Sequence, residues 1–337
     1  MSFICTPPTD YFASEAFLTL STHIITAISM PVHVLGLYII LYKTPKAMSS
    51  IKYSFVNLHI WILIYDNSLG VLTIPYLLLP CMAGYTLGVL SYTGINEYYM
   101  VVLVMGSCAN VLISIMAVFE NRFDIICDFS WKRYWSKVRK GWLVTHYILA
   151  ILLFLPMKFM MPDPEAARKK VFDALPCLTD EIRAVPVFIL TEDWTYHIIA
   201  LGSQFFIGLS EVGFFIDCTV FYIIRLLKSK RMSSATIKLQ IKFLIALCIQ
   251  MAVPGFLLVI PLIYSLFSIT FDYYNQGFQN IVIALETTHG LLSTFTMILI
   301  HHPYRMALFE MLPERIKEIL RTSNREQRVA TSVTTQM

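Results

Sequence analysis

Seven apolar runs, each long enough to cross a bilayer, constrain this chain more than any other feature. A hydrocarbon core about 30 Å thick takes roughly 20 residues of helix. Runs of that kind fall at 17–42, 54–80, 98–120, 141–161, 197–225, 240–268 and 277–301, with the charges gathered in short clusters between them. The chain is 57% hydrophobic and 14% charged, against about 45–50% and 25% in a soluble domain. Water is therefore not the solvent of most of its surface. The expected fold class is an all-α membrane protein, a seven-transmembrane-helix bundle. The apolar stretch from Cys81 to Tyr92 is short and carries Gly84 and Gly88, so it reads as an interfacial loop rather than an eighth span.

Orientation follows from the basic residues. Of 26 Lys and Arg, 21 fall on one side: around Lys43–Lys52, Arg122–Lys140, Arg225–Lys242 and beyond residue 302. Lysine and arginine mark the cytosolic loops, so the N-terminus is expected outside and the C-terminus inside. Residues 1–16 form an extracellular segment without a basic stretch ahead of the first span, which is expected to serve as an uncleaved signal anchor. Within 302–321, Leu308, Phe309, Leu312 and Ile316 alternate with Arg305, Arg315 and Lys317 at helical spacing. That pattern predicts an amphipathic helix on the inner membrane surface. The polar tail 322–337 is expected to be disordered.

Several chemistries lack their residues. The seven cysteines form no CxxC pair, so no metal cofactor is expected. A net charge of +4 without a basic stripe excludes nucleic-acid binding. His301-His302 has no partners at metal spacing, so no catalytic residues are assigned and the chain is not read as an enzyme. Residues 277–301 contain no lysine for a retinal Schiff base. A transporter or ligand-gated channel is the rival class; no internal repeat supports it, while four intramembrane acids keep it open.

Those acids are Asp66, Glu211, Asp217 and Glu286. Each costs several kcal/mol, at about the bilayer centre, if charged and alone, so each needs a partner. Asp66, with neighbouring Asn67 and with His59 seven residues earlier on the same face, reads as a polar core. Glu286 and His289 share a helix face at a depth that suits a ligand. The other reading is a hydrogen-bond network joining helices through Asp66, Asn67 or Asn280. Glu211 lies at similar depth and is open between the same two roles.

The order of several short motifs resembles the nematode serpentine chemoreceptors of class H, over roughly residues 10 to 320. They are Pro31-Val32-His33, Lys43-Thr44-Pro45, Asn57-Leu58-His59-Ile60-Trp61 with Asp66, Ile74-Pro75-Tyr76, Glu120-Asn121-Arg122 and His302-Pro303-Tyr304-Arg305. The resemblance implies a plasma-membrane receptor of sensory-neuron cilia that binds an environmental small molecule and activates a heterotrimeric G protein. It also implies a sodium ion beside Asp66, and coupling through Glu120, Asn121, Arg122, Pro303, Tyr304 and Arg305. Arg122 is then a switch that pairs at rest and meets the G protein when active; the other reading is a basic anchor to membrane lipids. Against such receptors, no cysteine stands at the start of the third span. Of the three outward cysteines Cys5, Cys81 and Cys177, the preferred bridge is Cys81–Cys177. The loop from Pro162 to Tyr196 is the longest and is placed to cover the pocket mouth.

Overall fold

The structure, a computed structural model, describes residues 4–5, 8–229, 233–315 and 317–318. Seven helical segments in it are long and apolar enough to cross a membrane. The first is α1 (Glu15–Lys43), opened by the Ser14 hydroxyl accepting from the Phe17 amide. The second is α2 (Ser49–Asn67), continued by a π-turn over Ser68–Leu72. The third is α3 (Glu97–Ile126), capped by Asn96, and the fourth is α4 (Lys132–Leu152) with a 3-10 extension over Leu155–Met160. Two short helices, α5 (Pro164–Ala174) and α6 (Asp180–Ala184), lie in the long loop. The fifth and sixth spans are α7 (Thr195–Ser229) and α8 (Ser234–Thr270). The seventh is broken into α9 (Gln276–Glu286) and α10 (His289–Ile300), and α11 (His302–Met311) follows at once.

The spans are the expected seven, with displaced ends. The second stops at Leu72 instead of reaching residue 80. Pro75 has no amide hydrogen to extend the helix and disfavours the α region for the residue before it; Ile74 is outside the helical region, at φ 43°. The fourth begins at Lys132, not 141, so that five basic residues expected in a loop lie on the first turns of a helix. At the C-terminal end, α11 closes at Met311 and helical residues resume at 314–315 and 317–318, so the helix expected over 302–321 is interrupted at Leu312 and Pro313. Residues 319–321 and the tail 322–337 lie outside the described residues.

The bundle has two ends of different construction. At the end that carries the N-terminus, the loops fold into a lid. Strand β1 (Ile4–Cys5) runs parallel to β5 (Tyr273–Tyr274), while β2 (Pro75–Leu77), β3 (Ala83–Thr86) and β4 (Phe188–Ile189) form an antiparallel sheet. Gly84 permits the tight β2–β3 pairing, because a Cβ there would sit 2.5 Å from the Tyr76 carbonyl oxygen. The lid has its own apolar core of Leu18, Ile74, Tyr76, Leu175, Leu178 and Tyr274. Tyr76 donates to the Ala13 carbonyl at 2.6 Å, and the Asn280 amide donates to that of Phe12 at 3.0 Å. These bonds tie the N-terminal segment to the sheet and to the seventh span.

The expected Cys81–Cys177 bridge does not form: Cys81 is a free thiol and Cys177 is disulfide-bonded. Cys81 lies at the turn of the β2–β3 hairpin, whose partner strand is β4, whereas Cys177 sits between α5 and α6. Hairpin pairing, not the count of outward cysteines, sets its position. Burial, with Asp272 nearby, pushes the Cys81 thiol up to about 12. At pH 9 about one folded molecule in a thousand then carries the reactive thiolate at Cys81. Iodoacetamide alkylation followed by peptide mapping is expected to label Cys81 orders of magnitude faster in the unfolded chain; equal rates would remove this picture of a shielded thiol.

Candidate functional site

The polar residues of the first, second and seventh spans meet in the interior. Asp66 on α2 is 3% exposed, and its Oδ2 lies 2.9 Å from Nε2 of His33 on α1. A carboxylate only accepts, so this His33 nitrogen carries the hydrogen. Its Nδ1 is in hydrogen-bond reach of the Thr294 hydroxyl of α10, at 3.3 Å. The neighbouring His59 uses Nε2 to donate to the His33 carbonyl at 2.9 Å. Asp66, Thr294 and His59 thus meet at His33, linking three spans, and the His33 contact offsets the desolvation that a lone buried acid would bear.

The seventh span is interrupted beside this cluster. Thr287 and Thr288 separate α9 from α10, and their hydroxyls turn back to the carbonyls of Ala284 and Leu285. The break sets Glu286 against the Tyr65 hydroxyl of α2, which donates to it. It also sets His289 edge-on to the Tyr65 ring, with Nδ1 3.6 Å from Asp66 Oδ1. Neither His289 nitrogen nor Asp66 Oδ1 has a hydrogen-bond partner, although all are buried. Gly290 makes the approach possible: a Cβ there would lie 1.9 Å from Asp66 Oδ2. Both irregular stretches, the π-turn after Asn67 and the break after Glu286, flank the acid; interruptions of that kind concentrate at functional sites.

At the opposite end, Glu120 of α3 accepts from Arg139 at 2.6 Å and from the Trp135 indole at 2.8 Å, both on α4. Arg139 also bridges to Asp124. Two residues from Glu120, Arg122 turns the other way. It is buried, donates to the Gln240 side chain of α8, and lies 4.5 Å above the Phe243 ring. Adjacent acid and base therefore fasten α3 to two different neighbours. Below them, Tyr304 of α11 is fully buried and bonds Thr44 at 3.0 Å. Pro303 occupies the first turn of α11, where a missing amide costs nothing. Arg305 donates to the Leu299 carbonyl at 2.7 Å, covering the end of α10. His301 reaches Gln250 of α8 at 2.7 Å.

The structure separates other residues that the sequence grouped. Glu211 meets His146 of α4 at 3.1 Å rather than Glu286 or His289. Asn67 bonds the Leu63 carbonyl of its own helix, and Asn280 serves the N-terminal segment. Asn121 keeps a buried side-chain oxygen without a hydrogen bond. Among the described residues no group of three or more His, Cys, Asp or Glu is arranged to hold a metal ion. Sequence reasoning did not identify His33, Tyr65, Arg139 or Gln240 as partners. His33 was the most visible, being the polar member of Pro31-Val32-His33 in an otherwise uncharged span.

The family model described as Serpentine type 7TM GPCR chemoreceptor Srh matches residues 13–314. Serpentine receptor class H-72 of Caenorhabditis elegans is 26% identical over 304 residues, covering 90% of this chain and 87% of that protein. The match runs from the turn ahead of α1 through α11, so it takes in all seven spans, the Asp66 cluster and the Arg122–Gln240 contact. On that evidence, this multi-pass membrane protein belongs to the Srh family of serpentine seven-transmembrane GPCR chemoreceptors.

Proposed function

We propose that this chain is a plasma-membrane receptor of sensory cilia that binds a small environmental molecule and activates a heterotrimeric G protein. Its N-terminal lid faces outward, and the end that carries Arg122 faces the cytosol. The single observation that carries this reading is the opposed fastening of α3. Glu120 is tied to α4 by Arg139, while Arg122 is tied to α8 by Gln240. A polar latch between the third and sixth spans, on the side richest in Lys and Arg, is a two-state element that a ligand at the other end can bias. Transmission passes through the seventh span, whose break joins Glu286 and His289 to Tyr65 and Asp66. Glu286 and His289 act as the inner floor of the ligand path. Asp66, with one oxygen lacking a hydrogen bond, is the place where a sodium ion would act at rest.

Expression with a G-protein reporter and an N-terminal epitope tests this. The epitope is expected to be accessible on intact cells. Gln240→Ala frees Arg122 and is expected to raise ligand-free signalling several-fold, about 1 kcal/mol of bias toward the open latch. Arg122→Ala, at equal surface level, is expected to abolish signalling. Unchanged signalling in both variants discards the latch. A ligand-gated current without any G protein would instead favour the channel reading, for which the intramembrane acids are the motive.

A further inference from the structure

A half-open cleft of about 310 Å³ lies in the lid, between the turn of the β2–β3 hairpin, α5, the segment after β4 and the turn that leaves α8. Its volume falls at the lower end for small-molecule pockets, about 300–1,000 Å³. Met82, Val171, Ile189 and Ile269 give it apolar walls, and Trp194 adds an aromatic face.

The charges on its lining are unequal. Lys170 is taken by Glu192 at 2.6 Å, an ion pair that is largely exposed and therefore lies toward solvent. Asp272 has no ion-pair partner among the described residues. Its backbone is fixed: φ is 49°, the adjacent Phe271 amide donates to the Phe267 carbonyl, and Ser268 donates to the Tyr273 carbonyl at 2.6 Å. Cys81, beside it, stays protonated and adds no charge. The cleft thus carries one carboxylate in excess of neutrality, with an aromatic ring and apolar walls.

From this arrangement we propose that the lid cleft binds a small organic ammonium ion, with Asp272 as counter-ion and Trp194 as the aromatic face against the cation. Both contributions favour a protonated amine over an alcohol or acid of the same shape. The site deepens the receptor reading, and rests on it only for the signalling that binding would evoke. The apolar walls select a hydrocarbon body, and the size limits it to one ring or a short branched chain.

The test uses the full-length receptor in nanodiscs, with cyclohexylamine and cyclohexanol as probes and apparent affinity read from the concentration dependence of the melting temperature. Cyclohexylamine is expected to stabilise the receptor at concentrations at least tenfold below cyclohexanol. Asp272→Asn, which retains a residue tolerant of positive φ, is expected to weaken amine binding about 10- to 100-fold, the equivalent of one charge-assisted hydrogen bond. Glu192→Gln frees the Lys170 charge at the rim and is expected to weaken it several-fold. It serves as the second variant should Asp272→Asn fail to fold. Equal affinity for amine and alcohol, or wild-type amine binding in these variants, would overturn the proposal. Amine binding without a reporter response keeps the site and counts against coupling. A reporter response to other compounds, with no amine binding, discards the site and keeps the receptor.

Discussion

Gly290→Ala is expected to be the most damaging conservative substitution in the bundle, costing about 3–5 kcal/mol and much of the surface expression. The added methyl would lie 1.9 Å from Asp66 Oδ2, 2.6 Å from its Cγ and 2.7 Å from the Ile62 Cγ2. Flexible side-chain ends usually move aside, but Asp66 is held by His33 at 2.9 Å. To make room, the carboxylate must leave its partner and stay buried, so a steric change becomes an electrostatic one. Thermal unfolding of the purified receptor measures the loss. The same methyl in an Asp66→Ala background loses both Asp66 clashes and meets only the Ile62 Cγ2, so the double variant is expected to be more stable than the two single losses summed. Full additivity would mean that the methyl is absorbed elsewhere and that the Asp66–Gly290 contact is not tight.

A second large effect is expected from Arg139→Ala, about 3–5 kcal/mol. This arginine holds Glu120 with one guanidinium nitrogen and Asp124 with the other. Its removal leaves the Glu120 carboxylate, 7% exposed at the side chain, with only the Trp135 indole donor. Arg139→Lys is expected to recover part of the loss, because a point charge cannot span two carboxylates as a planar fork does. Adding Glu120→Gln to Arg139→Ala should recover more, since an amide oxygen still accepts from Trp135 and the more deeply buried of the two carboxylates no longer carries a charge. Melting temperatures of the four proteins decide it. If Glu120→Gln gives no rescue, the cost of Arg139→Ala lies in lost packing at α4.

The two variants differ in what could be foreseen. Glu120-Asn121-Arg122 stood out as a motif at the end of the third span, yet Arg139 was placed in a loop, because the basic run 132–140 interrupts the hydrophobic pattern. Hydropathy detects the part of a helix that lipid solvates; it cannot see a helix that continues beyond the bilayer into water. The second span failed in the other direction. Residues 73–80 are apolar enough to continue a membrane helix, but Pro75 and the pairing of Pro75–Leu77 with Ala83–Thr86 turned them into a hairpin. Their hydrophobicity reflects burial in the lid core, and a buried strand and a membrane helix look alike by composition.

The seventh span shows a third kind of difference. Helical spacing puts Glu286 and His289 on one face; in the structure a helix break separates them, and both meet Tyr65. Glu211, at comparable depth, was drawn to His146 on α4. Depth along a span is legible from residue number; rotation about the span axis, and hence the facing helix, depends on packing against all the others.

The sequence by itself determined the seven crossings, the strongly unequal distribution of lysine and arginine between the two ends, and the presence of acids that must find partners within the membrane. These depend on sums over twenty or more residues, and such sums survive errors of a few residues at either end. Only the tertiary structure decided that Asp66 binds His33, that Arg122 and Glu120 are fastened to different helices, that Cys81 stays a free thiol, and that the loops close into a lid with a cleft of its own. Each of these joins residues far apart in the chain over a distance of a few ångströms, and the bonds that result are set by the facing surfaces of whole elements, which no local pattern encodes.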